Sequence, residues 1–389
     1  MHEIPIDREY VVDTLTDLVR IDSVNPSLVP GAPGEVEIAV YVADALNAMG
    51  LTVETHEPVP GRPSVVGLSP GDPSGRSLML NAHTDTVGIG QMADPFSAAV
   101  RDGKLYGRGA QDMKGGLAAC LGTAKALGET GVELAGSFMV AAVADEEFKS
   151  IGTADLAQRY RVDGAVVAEP TDMEICVAHN GFVWFEIETR GRAAHGSRFQ
   201  DGIDAIAHMG RVIARLDAHR ADLLERPGHE LAGPPSLHAS MVHGGTEWSV
   251  YPSLCRLSVE RRLVPGETEE EAVSEMRGLV AALAAEDAAF EADVSVYFSR
   301  RPHVASRESA IVRAARAAVE EVLGEEARLC GQGGWMDSSI LGASGAEAIV
   351  LGPSGGGLHT DREWVDIDSV VDLAEIFARI AITYCGVRT

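Results

Sequence analysis

Short apolar runs in the first half of the chain limit the folds that it can adopt. They occupy residues 64–68, 77–82, 136–144 and 164–168. Each has the length of a strand and lacks the polar alternation of a half-exposed strand, which predicts burial on both faces. A helical pattern over 35–49, ending at Gly50, begins the alternation of helices with these strands. We therefore predict an α/β fold with a mixed, largely parallel central sheet and helices on both faces.

Residues 99–106 interrupt this pattern with an expected hairpin. Asp102-Gly103 stands between two short alternating runs, which is a strong local signal for a two-residue turn. One antiparallel pair is therefore expected within the α/β layer.

A different rhythm begins near residue 179. Strand patterns occur at 182–190, 237–243, 254–263 and 291–298, and helical patterns at 203–217 and from Thr268 onward. This βαββαβ order is typical of a ferredoxin-like α+β unit. Helical and apolar patterns of the first kind resume afterwards, so we predict a larger domain in two parts, 1–178 and 299–389, with an inserted domain at 179–298.

The charge balance excludes several kinds of partner. The chain has 58 acidic and 32 basic residues, a formal net charge of -26. Such a charge repels nucleic acid and anionic lipid, so we expect neither as a partner. A small molecule is the expected partner.

The cysteines and the start of the sequence bear on location. The five cysteines are scattered and form no CxxC pair, which is typical of a reducing compartment. The start carries no basic and apolar leader pattern, and no run of about 18 apolar residues occurs. The expected location is the cytoplasm.

Acidic and histidine side chains follow the predicted strands where each strand ends. They are His83, Asp85, Asp112, Glu146, Glu147 and Glu169, and the glycine-rich segment PSGGGLHTD adds His359. In an open α/β sheet, residues beyond the carboxyl ends of the strands converge on one crevice. Any one of them could be an ordinary loop residue, but together they indicate a metal site.

Two histidines and three carboxylates suffice for two zinc ions that share one bridging carboxylate. Two ions about 3.5 to 4 Å apart polarise a carbonyl and lower the pKa of a water between them. Of the neighbours Glu146 and Glu147, one can bind metal while the other acts as general base and later as general acid. Asp85, two residues after His83, is suitably placed to hold the second imidazole nitrogen.

The motifs HTDTV, GRGAQDMKGG, ADEE, AEPT and GLHTDREWV, in this order, resemble a dinuclear zinc family. That family contains acetylornithine deacetylase, succinyl-diaminopimelate desuccinylase, aminoacylase and glutamate carboxypeptidase. The resemblance covers nearly the whole chain, from RIDSVNPS to the last helical pattern. It implies a catalytic domain in two parts and an inserted lid or dimerisation domain.

The resemblance also implies a role for each residue. Asp112 would bridge the ions, His83 and Glu169 would complete one site, and Glu147 and His359 the other. Glu146 would be the general acid/base and Asp85 the orienter of His83. A cis peptide bond is implied for Asp112-Met113. Zinc is expected, with cobalt or manganese as alternatives.

The inserted domain is implied to reach the substrate. His195, in GRAAHGSRFQ, resembles the family histidine that stabilises the oxyanion, often in the partner subunit's site. Arg262 matches the arginine that binds the substrate carboxylate, whereas Arg261 is expected to be a solvated strand residue. These features, with the exposed sheet edge of a ferredoxin-like layer, favour a homodimer through the inserted domain.

Two positions raise questions about substrate recognition. The family usually has an asparagine that helps to hold the substrate where this chain has Ser249, a residue with a shorter reach. Gly356 lies in the glycine-rich loop before His359, and a glycine there permits close approach to a ligand, although simple flexibility would explain it too.

The expected function is metal-dependent deacylation of a small N-acyl amino acid, similar to acetylornithine deacetylation. Desuccinylation, dipeptide or carboxypeptidase cleavage and removal of a carbamoyl group are the alternatives within the family. A non-catalytic amino-acid or metal-binding protein is disfavoured because a mere binder would not need Glu146 and Asp85. A phosphate loop is disfavoured because GRGAQDMKGG lacks the Lys-Ser/Thr ending and the GxGxxG spacing.

Overall fold

A computed structural model describes residues 4–69, 71–72 and 74–388. The chain divides into two compact units. The first comprises the chain up to Val177, Ala305–Cys330 and the chain from Met336 onward, and the second comprises Ala178–Val304 and Gly331–Trp335. The second unit thus extends beyond the expected 179–298: it begins at Ala178, continues to Val304, and the chain enters it again at Gly331–Trp335.

The helices are α1 (Arg8–Arg20), α2 (Val36–Ala48), α3 (Gly115–Glu129), α4 (Ile151–Arg159), α5 (Ala205–Leu224), α6 (Glu269–Glu286), α7 (Ala310–Leu323), α8 (Ser338–Ala343) and α9 (Ile367–Cys385). A distorted turn, Ala110–Lys114, immediately precedes α3. Side-chain caps begin several helices: Asp7 accepts the Tyr10 N–H, and Thr268 forms a reciprocal capping box with Glu271.

The strands are β1 (Thr52–His56), β2 (Ser64–Ser69), β3 (Leu78–His83), β4 (Ala99–Arg101), β5 (Lys104–Tyr106), β6 (Phe138–Val143), β7 (Gly164–Val167), β8 (Ile175–His179), β9 (Gly181–Arg190), β10 (Ser236–Gly244), β11 (Leu254–Leu263), β12 (Glu291–Arg300), β13 (His303–Val304), β14 (Leu329–Gln332), β15 (Glu347–Val350), β16 (Gly355–Gly356) and β17 (Trp364–Asp366). The four apolar runs of the sequence correspond to β2, β3, β6 and β7.

The central sheet of the first unit is mixed. Its order is β1-β2-β6-β3-β7-β15-β8, in which β6, β3, β7 and β15 are mutually parallel. The strands β1, β2 and β8 pair antiparallel at either side of this block. The prediction of a mixed sheet with a parallel centre is confirmed, and the carboxyl ends of β6, β3 and β7 lie at one edge.

Helices pack on both faces of this sheet. Met79 and Ala141 share a core cluster with Leu156 of α4 and Leu341 of α8. Because successive strand residues face opposite ways, Leu80 faces the other side, where α3 and α9 contact β3. Burial on both faces explains why these strands are continuously apolar.

The expected hairpin at 99–106 is confirmed. The strands β4 and β5 pair antiparallel through Asp102 and Gly103, whose φ angles are 49° and 75°. They continue into a small sheet of order β16-β17-β5-β4, which brings the segment around His359 beside the first half of the chain.

The second unit has the element order βαββαβ. Its antiparallel sheet has the order β10-β11-β9-β12, and α5 and α6 cover one face. Val183, Phe185 and Ile187 of β9 form a core with Met209 of α5 and Met276 of α6. The short β13 pairs with the end of β8.

The expectation that Arg261 is a solvated strand residue is wrong. Its side chain is 1% exposed, and it forms ion pairs with Glu267 and Glu275. It lies opposite the buried Val183 of β9, on the face that the helices cover, whereas Arg262 lies on the other face. Arg261 is therefore a buried residue, not a solvated one.

No helix among the described residues is both long enough and apolar enough to cross a bilayer.

Candidate metal centre

His83, the last residue of β3, lies between two carboxylates. Its Nε2 is 3.0 Å from Oδ1 of Asp112 and 3.3 Å from Oε1 of Glu169. Glu169 follows β7, the parallel neighbour of β3, so the sheet itself brings the two residues together. Both His83 and Glu169 are buried.

Asp112 also faces a second histidine. Its Oδ2 lies 3.1 Å from Nε2 of His359, and that nitrogen is 3.3 Å from Oε2 of Glu147. The two oxygens of Asp112 therefore point to two different imidazoles, and the Nε2 atom of each imidazole has a further carboxylate oxygen at 3.3 Å. The side chain of His359 is 53% exposed, so this side of the cluster is open to solvent.

The segment that carries Asp112 is held by Glu363, a residue that the sequence analysis did not single out. Glu363 is buried, and its Oε1 accepts the backbone N–H groups of Gln111 (2.9 Å) and Asp112 (3.0 Å). Its Oε2 accepts the Gly109 N–H (3.0 Å) and Nη1–H of Arg108 (2.7 Å). The Asp112-Met113 peptide bond is cis, as the resemblance implied.

Asp85 faces His83 more closely with its backbone oxygen than with its carboxylate. Nδ1 of His83 is 2.9 Å from the backbone oxygen of Asp85 but 3.6 Å from its Oδ1. The carboxylate is occupied elsewhere: it accepts the backbone N–H groups of Glu146 (3.1 Å) and Glu147 (3.2 Å) and a side-chain N–H of Asn25 (2.8 Å). Asp85 thus holds the turn that carries both glutamates.

Glu146 lies at the edge of the cluster. Its Oε2 is 4.0 Å from Nε2 of His83, and Glu146 can form a cation-binding group with His83 and Glu169. Burial, followed by the charge of Glu169, raises its pKa well above the usual value. A carboxyl group with a raised pKa is suited to accept a proton and to donate it again.

The crowding of carboxylates is the main electrostatic feature of the centre. Burial and the Asp112 charge raise the pKa of Glu147 to about 7 and that of Glu169 to about 8. Oε1 of Glu147 is buried and has no hydrogen-bond partner among the described residues. Buried carboxylates without enough protein donors are typical of a site for cations.

The donor set therefore fits bound divalent ions. His83, Asp112 and Glu147 offer ligand atoms within 4.8 Å of one another, and so do His83, Glu146 and Glu169. Imidazole and carboxylate donors without thiolates are chemically suited to zinc and to its divalent neighbours.

The contacts around residue 356 explain why a glycine is present there. It lies in β16, and a Cβ there would lie 2.9 Å from the nearest indole atom of Trp364 on β17. Tight packing on the indole, rather than flexibility, accounts for this glycine.

His195, Ser249 and Arg262 belong to the second unit. His195 forms a bridge with Val250, and the backbone oxygen of Ser249 accepts the Gly196 N–H at 2.7 Å, so His195 and Ser249 are close neighbours. Nδ1 of His195 lies 2.8 Å from Oγ of Ser197 and 3.2 Å from the Ser197 backbone nitrogen.

Arg262 is held by its strand neighbour. Its Nε–H donates to Oε1 of Glu260 at 2.7 Å, and its guanidinium lies 5.6 Å above the centre of the Phe182 ring. These contacts fix the stem of the side chain and direct the guanidinium along the face of the sheet that α5 and α6 leave uncovered.

Comparison with known proteins supports a hydrolase. The sequence model of "Peptidase family M20/M25/M40" matches residues 79–383. An acetylornithine deacetylase of Myxococcus xanthus is 29% identical over 386 residues, which are 96% of this chain and 97% of that protein. An N-formyl-4-amino-5-aminomethyl-2-methylpyrimidine deformylase of Bacillus subtilis (strain 168) is 31% identical over 278 residues, 66% of this chain and 65% of that protein.

A solved structure shares the fold. The YXEP protein of Bacillus subtilis, described as a dinuclear metal-binding peptidase of the M20 family, superposes with a TM-score of 0.74. It is 18% identical, and the match covers 97% of this chain and 98% of that one.

Proposed function

Because this chain belongs to peptidase family M20/M25/M40 and is a metallohydrolase of amide bonds, we propose that it deacylates a small N-acyl amino acid, as an acetylornithine deacetylase does. The observation that carries the proposal is the geometry of Asp112, whose two oxygens lie 3.0 and 3.1 Å from two different imidazoles. Each imidazole has a second carboxylate beside it.

In this proposal five residues hold two ions, with Asp112 between them. His83 and Glu169 complete one site, and Glu147 and His359 complete the other. Zinc is the proposed metal, with cobalt or manganese as alternatives. When bound, the ions would polarise the scissile carbonyl and make water more acidic.

Glu146 is the proposed general acid/base. Its mostly buried carboxylate takes a proton from the attacking water, and the resulting carboxylic acid returns that proton to the amine nitrogen as the C–N bond breaks. Asp85 keeps Glu146 in place through the backbone hydrogen bond to its N–H.

The second unit is proposed to contact the substrate. Arg262 has its Nε bound by Glu260 and presents its terminal nitrogens to a substrate carboxylate. His195 is proposed to donate from Nε2 to the oxyanion, which is worth about 2.7 to 4 kcal/mol in the transition state. Ser249, beside His195, would contribute one hydroxyl.

The names of the two relatives favour a short acyl group. One is a deacetylase and the other a deformylase. Desuccinylation, dipeptide or carboxypeptidase cleavage and decarbamoylation are the alternatives. We therefore propose that acetyl or formyl groups are removed in preference to succinyl groups.

Metal analysis with a substrate panel tests the proposal. We expect two zinc ions per chain after reconstitution, and release of the amine from N-acetyl or N-formyl amino acids. Glu146→Gln should lose turnover yet keep both ions, while the exposed control Glu325→Gln should match the wild type. Cleavage of dipeptides alone, or full activity of Glu146→Gln, would contradict the assignment.

We also propose a homodimer formed through the second unit, in the cytoplasm. The strand β10 is at the edge of its sheet and exposes Met241 (57%) and Val242 (55%). A second copy would cover these side chains and the unpaired strand edge. Sedimentation that finds only active monomer would refute the dimer.

A further inference from the structure

A buried polar network lies behind the Asp145-Glu146-Glu147 turn, within the first unit. Asp145 is 2% exposed, and its Oδ1 accepts an N–H of Arg62 at 2.9 Å. The same oxygen accepts a side-chain N–H of Asn25 at 3.1 Å. The Ser27 hydroxyl donates to it too, at 3.4 Å, so the turn is attached at Asp145 by one cation, one amide and one hydroxyl.

Asn25 connects this attachment to the one that Asp85 makes. Its Nδ2 donates to both Asp145 Oδ1 (3.1 Å) and Asp85 Oδ2 (2.8 Å), and Asp85 in turn accepts the N–H groups of Glu146 and Glu147. Three consecutive residues of the turn are thus held by one continuous set of hydrogen bonds.

Arg62 is itself held in place by Glu35 and Ser27. Its Nε and Nη2 donate to the two oxygens of Glu35 at 2.6 and 2.5 Å, and its Nη1 donates to Oγ of Ser27 at 3.0 Å. Glu35 is fully buried, and Arg62 is 6% exposed. The fork geometry matters, because a lysine ammonium cannot bind Glu35 bidentately and reach Asp145 as well.

We propose that Arg62 is a positioning residue for Glu146 and Glu147, acting through Asp145 and Asn25. The proposal rests on the proposed function, in which Glu146 handles the proton and Glu147 helps to hold one ion. Arg62 contributes the only cationic side chain that bonds Asp145 among the described residues. Without it, the Asp145 carboxylate is left buried beside Asp85 and the turn loses its orientation.

Arg62→Ala is the direct test, measured by steady-state kinetics and by Zn²⁺ titration of the metal-free protein. We expect kcat to fall about 10- to 100-fold with KM little changed, because partners of catalytic and metal-binding groups have effects of this size. One of the two Zn²⁺ affinities should fall by a similar factor. Sub-denaturing guanidinium should restore part of kcat, and Arg62→Lys should lie between Ala and wild type.

Arg379→Ala is the matched control. Arg379 also binds two carboxylates, Glu321 at 2.6 Å and Glu375 at 2.6 Å, but it has no contact with the turn. Its kcat and both Zn²⁺ affinities should remain those of the wild type.

Two results would overturn the proposal: a folded Arg62→Ala with wild-type kcat and Zn²⁺ affinities, or equal losses in Arg379→Ala. Should Arg62→Ala not fold, the double variant Arg62→Met/Glu35→Gln removes both halves of the ion pair and is judged by the same criteria. A wild type that hydrolyses no acylated amino acid refutes the proposed function instead, and the Zn²⁺ titration then still tests Arg62.

Discussion

Replacing Glu363 with glutamine tests how the bridging position of Asp112 is held. Each carboxylate oxygen accepts two hydrogen bonds, from Gln111 and Asp112 on one oxygen and from Gly109 and Arg108 on the other. A glutamine keeps one oxygen and places an NH2 group against the remaining two donors. The change in volume is negligible, so lost hydrogen bonds dominate the effect.

The expected loss of stability follows from that count. A buried donor left without a partner costs about 1 to 3 kcal/mol, and two donors are affected. The removed charge also leaves Arg108, which is 1% exposed, without its ion-pair partner. Breaking a buried ion pair costs about 3 to 5 kcal/mol. Arg108 is counted both as an unsatisfied donor and as an unpaired charge, so the two costs overlap. We therefore expect the free energy of unfolding to fall by about 3 to 5 kcal/mol in total.

Urea denaturation and hydrogen exchange measure this effect. Glu363→Gln should lower the free energy of unfolding of the first unit and speed exchange of the amides at 109–112. The control is Asp361→Asn, an exposed carboxylate that accepts one backbone N–H, from Gln91, and should cost less than about 1 kcal/mol. A loss below about 1 kcal/mol in Glu363→Gln, with unchanged exchange, would refute the reasoning.

Three further changes have defined outcomes. Gly116→Ala places a Cβ 2.1 Å from the backbone oxygen of Ala168, so it should destabilise the first unit by about 1 to 3 kcal/mol; thermal unfolding that matches the wild type would contradict this. Burial opposes ionisation of Glu275, but hydrogen bonds from His219 and Arg226 lower its pKa to about 2. Its contribution to stability is present above about pH 4.5 and lost as the pH falls towards 2. Glu275→Gln should therefore flatten the unfolding free energy in that window, and an unchanged slope would argue against it. Removing the metal with a chelator should lower stability by about 2.7 kcal/mol for each ion whose free concentration had been 100 times its Kd; equal melting curves with and without chelator would contradict metal binding to the folded state.

The central strands could be predicted from the sequence because a strand that is buried on both faces is a nearly continuous run of apolar residues. β2, β3, β6 and β7 are runs of apolar residues, and the polar residues that end them fall at the sheet edge where ligands bind. The convergence of His83 and Glu169 follows from the parallel pairing of β3 and β7.

The supports of the centre could not be predicted in the same way. Glu363 is 251 residues from Asp112, and the pairing of β17 with β5 helps to bring the two segments together. The signal in the sequence that pointed to Glu363 was its place in the motif GLHTDREWV. Arg261 illustrates another limit, because a one-residue choice of register decides which of two adjacent arginines is buried.

The insertion of the second unit has a consequence for synthesis on the ribosome. His83, Asp112, Glu147 and Glu169 precede Ala178, whereas His359 and Glu363 follow the last return to the first unit at Met336. Translation proceeds from the N-terminus at about 5 to 20 residues per second. The growing polypeptide must therefore emerge almost completely before the candidate centre can be assembled, and a truncated product that lacks its last segment has neither His359 nor the anchor for Asp112.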